Sequence, residues 1–264
     1  MTKVAVLMYH AVGQPLDERF RPWVVPPSLL AEHLSSLGEA GYELVGLTEW
    51  AAQRDDRKRV VLTFDDGYAD FAENALPVLA SHGARATVYV VTGYVGDRAR
   101  WLPFAGERDR PMMTWGDLET ARAHGIEVGS HGHRHIELDA VGSRAAASDI
   151  ERSRDALTSH GFPPRSFCYP FGYNSRSVRR IVAGAGFTNA CVVGRGLTDS
   201  GQDLLRVRRL AVDSRTTPEA LLRRFGGPAM PVPARLREAA QPTWRLTRRA
   251  RSMARRVMRA EVAL

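Results

Sequence analysis

Apolar residues in this chain fall into short runs, bounded by Gly, Pro, Asp or Asn and separated by stretches in which apolar positions recur at helical spacing. Lys3–Tyr9, Tyr42–Leu47, Arg59–Phe64, Ala86–Val91, Ile126–Ser130, Ser166–Tyr169, Ala190–Val193 and Leu204–Val212 read as strands. Pro27–Ala40 (capped by Ser28), Thr48–Gln53, Ala72–His82, Thr114–His124, Ser143–His160 and Ser175–Gly184 read as helices. Gly83 and Gly161 mark the ends of two of them. Strands alternating with helices predict a parallel sheet with crossover helices, most economically closed into a barrel. The connection from Gly93 to Pro111 has little regular pattern. Its Tyr94, Trp101 and Phe104 suit either a ligand-facing aromatic rim or packing back onto the body.

In a barrel of this kind, functional side chains gather at the C-terminal ends of the strands. His10, the pair Asp65-Asp66, the histidines His131 and His135, and the Pro170–Gly172 turn all fall there. One carboxylate with two imidazoles forms a donor set for a divalent metal with open positions. The second carboxylate then stands beside it, placed to take a proton from the attacking water. Taken alone, Asp-Asp-Gly suits a simple turn, and His-x-x-x-His suits a hydrogen-bonded cluster. Both motifs follow apolar strands in one chain, and that joint pattern points to a metal-dependent hydrolase.

Length and charge narrow the picture. At 264 residues there is room for one barrel-sized domain or two small ones. No run approaches the roughly 18–20 apolar residues of a membrane span. The N-terminus reads as a first strand rather than a signal peptide, which makes a cytoplasmic location the default. Cys168 and Cys191 form no disulfide framework and no metal-binding Cys pair. The net charge of +8 is concentrated near the end, where residues 229–264 hold nine Arg against two acidic residues. Lys3 and Lys58 are the only lysines, a bias that a GC-rich genome would also produce.

The run Thr63-Phe64-Asp65-Asp66-Gly67, then His131-x-x-x-His135, then Phe167-Cys168-Tyr169-Pro170-Phe171-Gly172 resembles the NodB-homology polysaccharide deacetylases, carbohydrate esterase family 4. The likeness extends over roughly residues 3–213. The Tyr9-His10 opening resembles the branch of poly-N-acetylglucosamine deacetylases. This resemblance implies a distorted (β/α)7 barrel that removes N-acetyl groups from amino sugars with a divalent metal, commonly zinc. Asp66, His131 and His135 would hold the metal, and Asp65 would be the general base. A backbone N–H of the proline turn, that of Phe171, would stabilise the oxyanion.

Two departures from the family pattern bear on the chemistry. The late histidine that serves as general acid in typical members is missing, since no His follows residue 160; in the resembled branch His10 would take that role. The arginine that pairs with the base is replaced by Cys168, which leaves Arg209 or Arg208 to substitute. His133 should point away from the ligands. Asp70 and Glu73 should cap or face solvent, and Cys191 should be core. Alternatives to N-deacetylation are O-acetyl ester hydrolysis on the same centre, or a catalytically impaired carbohydrate-binding relative.

The expected organisation is a catalytic domain over residues 1–225 and a tail over 226–264. The tail joins a Pro-rich linker to a helix carrying Leu246, Ala250, Met253 and Val257 on one stripe and arginines elsewhere. Such a helix suits an anionic membrane surface or an acidic protein partner, or it packs on the barrel. No motif that reads nucleic acid accompanies the charge.

Overall fold

The computed structural model describes residues 3–53, 55–194, 196–199 and 201–226. The expected basic helix, and all of the tail beyond Gly226, lies outside the described residues. The strands are β1 (Lys3–Tyr9), β2 (Ala11–Val12), β3 (Val24–Val25), β4 (Glu43–Val45), β5 (Arg59–Phe64) and β6 (Thr87–Val90). They continue with β7 (Glu127–Ser130), β8 (Ser166–Cys168), β9 (Asn189–Cys191), β10 (Thr198–Asp199) and β11 (Leu210–Ala211). The helices are α1 (Pro27–Glu39), α2 (Leu47–Ala52), α3 (Leu76–Ser81), α4 (Trp115–Ala123), α5 (Ser143–Ser159), α6 (Arg176–Gly184) and α7 (Pro218–Gly226). No described helix is long and apolar enough to cross a membrane.

β1, β5, β6, β7, β8 and β9 pair in parallel, in that order. The chain at 207–211 spans the two ends of this curl. Val207 bridges β9 at Cys191, and β11 pairs in parallel with β1. The result is the distorted (β/α) barrel. β4 pairs with the first half of β5 along the edge that β6 takes further up.

Parallel strands buried on both faces explain the near-continuous apolar runs. Along β1, Val4 and Val6 join one buried cluster with Val61, Tyr89, Cys168, Cys191 and Val207, on the inside of the curl. Ala5, Leu7 and Tyr9 join the other, with Val60, Leu62 and Phe64, beneath α1 and α3. This two-residue period directs the site. Val61, Thr63 and Asp65 share the inner face of β5, and Arg209 shares the inner face with Val207.

Several elements differ from expectation. The stretch Leu204–Val212 is not one strand: Asp203 accepts the Leu205 N–H at 3.0 Å, and Leu204–Arg206 turns before the chain extends. Tyr42–Leu47 shortens to β4, because Leu47 begins α2. Ala72–His82 opens with a wide turn at Phe71–Ala75 before α3. The Gly93–Pro111 segment packs its aromatics onto the body, beside Phe20, Tyr68 and Met112.

Candidate metal centre and catalytic site

Asp65 and Asp66 diverge because the chain turns sharply after β5. Asp65 keeps the strand's period and points into the barrel. Asp66 and Gly67 take φ of 78° and 77°, swinging the Asp66 side chain across the barrel mouth. His131 follows β7, its backbone tied to Val90 in β6 at 2.9 Å. Gly132, with φ of 77°, then turns the chain so that His135, itself at φ 52°, comes back to the same point. Among the described residues, Asp66, His135 and Phe171 are the three non-glycine residues with positive φ, and all three line this site. Such conformations cost of order 1–3 kcal/mol each and persist where surrounding contacts impose them.

Asp149 of α5, buried, holds the turn between His131 and His135. It accepts the His133 N–H at 2.9 Å and the Arg134 Nε at 3.0 Å. A Cβ on Gly132 would lie 2.9 Å from its Oδ2. Nothing in the sequence marks Asp149, because an acidic residue in a polar helix reads as solvated. His133 turns away, as expected, onto Thr92 Oγ1 at 3.0 Å.

The three expected donors converge. Asp66 Oδ1 lies 3.4 Å from His131 Nε2 and 3.4 Å from His135 Nε2, and the three donor atoms lie within 4.8 Å of one another. Ligands at 2.0–2.1 Å around a tetrahedral zinc are about 3.3 Å apart, so the set fits such an ion. His131 Nδ1 lies 2.8 Å from the Cys168 carbonyl, which holds a proton on Nδ1 and turns Nε2 toward Asp66, where a bound metal would take the place of any second proton. Asp66 Oδ1 and His135 Nδ1 are buried with no hydrogen-bond partner. A buried anionic oxygen left facing two imidazoles is costly unless a cation completes the group. Burial pushes the His135 imidazole down to about 3, in spite of Asp66, so the ring is neutral as a ligand must be.

Arg209 meets Asp65 through two bonds, Nη1 to Oδ1 at 2.6 Å and Nη2 to Oδ2 at 2.7 Å. Arg208 lies on the opposite face, beside Gly194. Burial alone would raise the Asp65 carboxyl, but the guanidinium outweighs it and holds the group below the usual carboxylate range. Cys168 Sγ sits 3.1 Å from Arg209 Nη2 and 3.6 Å from both Asp65 oxygens. A small thiol where a larger side chain would stand leaves room for the arginine to arrive from residue 209. Burial pushes that thiol up, keeping it neutral.

His10 stands at the end of β1 with Nε2 4.0 Å from Asp65 Oδ2. Burial lowers its pKa despite the nearby carboxylates. Phe171, half exposed, packs edge-on against the His135 ring, with centroids 4.6 Å apart. Trp101 packs tilted against the same ring, with centroids 5.2 Å apart. Asp70 departs from expectation. It neither caps nor faces solvent but ion-pairs with Arg110 at 2.7 Å and accepts the Val12 N–H. The reason is that the Gly93–Pro111 segment brings Arg110 in from 40 residues away. Cys191 is core, and Glu73 is exposed.

A barrel mouth carrying two aspartates, two histidines and a buried arginine defines a hydrolase-type site, and comparison gives the family. A family model described as polysaccharide deacetylase matches residues 52–190, more than half of the chain, and the chain belongs to that family. YxkH of Bacillus subtilis (strain 168) is 24% identical over 217 residues, 80% of this chain and 71% of that protein. The poly-beta-1,6-N-acetyl-D-glucosamine N-deacetylase of Escherichia coli (strain K12) is 33% identical over 152 residues. That match covers 53% of this chain but 22% of the E. coli protein. Among solved structures, the Streptococcus pyogenes deacetylase PplD in complex with acetate superposes with a TM-score of 0.74, at 23% identity. It covers 86% of this chain and 99% of that one, a likeness of fold.

Proposed function

We propose that this protein is a metal-dependent N-deacetylase of an N-acetylated amino sugar, releasing acetate and a free amine. One observation carries the reading: the unpartnered Asp66 Oδ1, 3.4 Å from each of two histidine Nε2 atoms, next to a carboxylate clamped by arginine. Asp66, His131 and His135 hold the metal, zinc by the donor set. A bound divalent cation supplies positive charge that acidifies water and polarises the acetyl carbonyl.

The chain's own residues do the rest. Asp65 accepts the proton of the attacking water. Arg209 occupies one lone pair on each Asp65 oxygen and fixes the carboxylate plane, and each oxygen keeps a second lone pair for that proton. The backbone N–H of Phe171 faces the developing oxyanion from the proline turn. His10 passes to the departing amine the proton that Asp65 has taken from water, its Nε2 lying 4.0 Å from Asp65 Oδ2. Its lowered pKa makes the imidazolium, once formed, a strong donor. That donor favours amide over ester cleavage, since a poor amine leaving group needs the acid most. The E. coli relative's name supports N-acetylglucosamine as the sugar.

The test separates ligand from base. Purified Asp66→Ala should lose the bound metal and all turnover. Asp65→Asn should keep stoichiometric metal and lose turnover by about 100-fold or more. Full activity in Asp65→Asn with normal metal content would overturn the base.

A further inference from the structure

Tyr68 takes no part in the chemistry described so far, yet it touches the centre. Its hydroxyl donates to Asp66 Oδ2 at 2.6 Å, while Oδ1 of the same carboxylate faces the two histidines. We infer that Tyr68 is a positioning residue that makes Asp66 a one-oxygen metal ligand, with Arg110 holding its ring in place. The inference rests on the metal-centre reading above and deepens it.

A carboxylate has two equivalent oxygens and rotates readily, so a single Asp can bind a cation through one oxygen or both. Occupying Oδ2 with a hydrogen bond breaks that equivalence. Partners of this kind orient ligands and tune their donor strength. For Tyr68 to do this, the ring itself must be fixed, and it is. The side chain is 1% exposed. Its ring is stacked on Trp101 at 6.3 Å and 7°, and Phe20 meets it edge-on at 6.2 Å. The Arg110 guanidinium lies 5.4 Å from the Tyr68 ring centroid.

Arg110 is anchored in turn by Glu107 at 2.6 Å and Asp70 at 2.7 Å. Glu107, fully buried, also accepts the backbone N–H groups of Leu16 and Asp17 at 2.7 and 2.9 Å. This buried polar chain is expensive to desolvate, and its end point is the phenol on Asp66. Trp101 also packs against His135, tilted by 33° with ring centroids 5.2 Å apart. One aromatic pair therefore abuts two of the three ligands.

The test uses the full chain, stripped of metal and titrated with Zn2+ against a chromophoric chelator and with Co2+ for its visible bands. Wild type, Tyr68→Phe and Asp66→Ala are compared. Tyr68→Phe should bind Zn2+ about 10–100-fold more weakly. Its cobalt bands should change, because the freed Oδ2 alters the coordination. A purely structural tyrosine would lower the melting temperature and leave the cobalt bands of the folded protein unmoved. Zinc affinity within twofold of wild type, with wild-type bands, overturns the positioning role and leaves the metal centre standing. No metal uptake by wild type, or uptake by Asp66→Ala equal to it, overturns the metal centre itself and this role with it. If circular dichroism shows Tyr68→Phe unfolded, 3-fluorotyrosine at position 68 keeps the shape and strengthens the donor. Shifted cobalt bands then support the role, and identical bands overturn it.

Discussion

Arg209→Met would leave Asp65 buried without its guanidinium. Asp65 is 4% exposed and Arg209 fully buried, and the pair is joined by bonds of 2.6 and 2.7 Å. Charge centres about 4 Å apart, at an effective dielectric of about 20, attract by roughly 4 kcal/mol. Removing one partner of a buried pair costs about 3–5 kcal/mol, because the other charge stays desolvated. Thr63 Oγ1 and the Val192 carbonyl lose a donor as well. In a chain of this size each kcal/mol moves the midpoint about 2–4 °C, so the metal-free variant should melt roughly 6–20 °C below wild type. The assay is thermal unfolding in chelator, repeated on Asp65→Asn and on the double variant. Neutralising Asp65 in the Arg209→Met background should restore about half of the loss, since the buried charge is then gone. A loss under about 1 kcal/mol, the value of an exposed pair, would refute the reasoning, as would a double variant no better than Arg209→Met.

Asp149→Ala strands the His133 N–H and should cost about 1–3 kcal/mol in thermal unfolding, with weaker zinc retention because His131 and His135 flank that turn. Gly129→Ala would set a Cβ 2.6 Å from two Tyr89 ring carbons inside the barrel, and urea unfolding should show a loss of about 1–3 kcal/mol. Thr114→Ala dismantles the capping box with Asp117 at the start of α4. Urea unfolding should show a loss of about 1 kcal/mol with turnover unchanged.

Much of the fold was legible because parallel strands buried on both faces leave apolar runs that alternate with amphipathic helices. β5 is a strand at its expected bounds, Arg59–Phe64. The Leu204–Val212 stretch misled because Asp203 ends the run locally, an effect a hydropathy pattern does not carry. At the site, the positions of Asp66, His131 and His135 follow from motif spacing. The choice between Arg208 and Arg209 was open in the sequence and becomes a matter of strand period once Val207 is known to face inward. Asp70 and Asp149 were beyond reach. Their partners, Arg110 and the His133 backbone, arrive from distant segments, and a buried acid looks like a solvated one until its partner is located.

Metal-dependent removal of N-acetyl groups from an amino sugar is open to a single direct test. The direct measurement is free-amine release from N-acetylglucosamine oligomers by purified protein, first untreated, then chelator-treated, then restored with zinc. Release should disappear with the chelator and return with zinc. Release that is unchanged in chelator-stripped protein, with no metal bound, would contradict it.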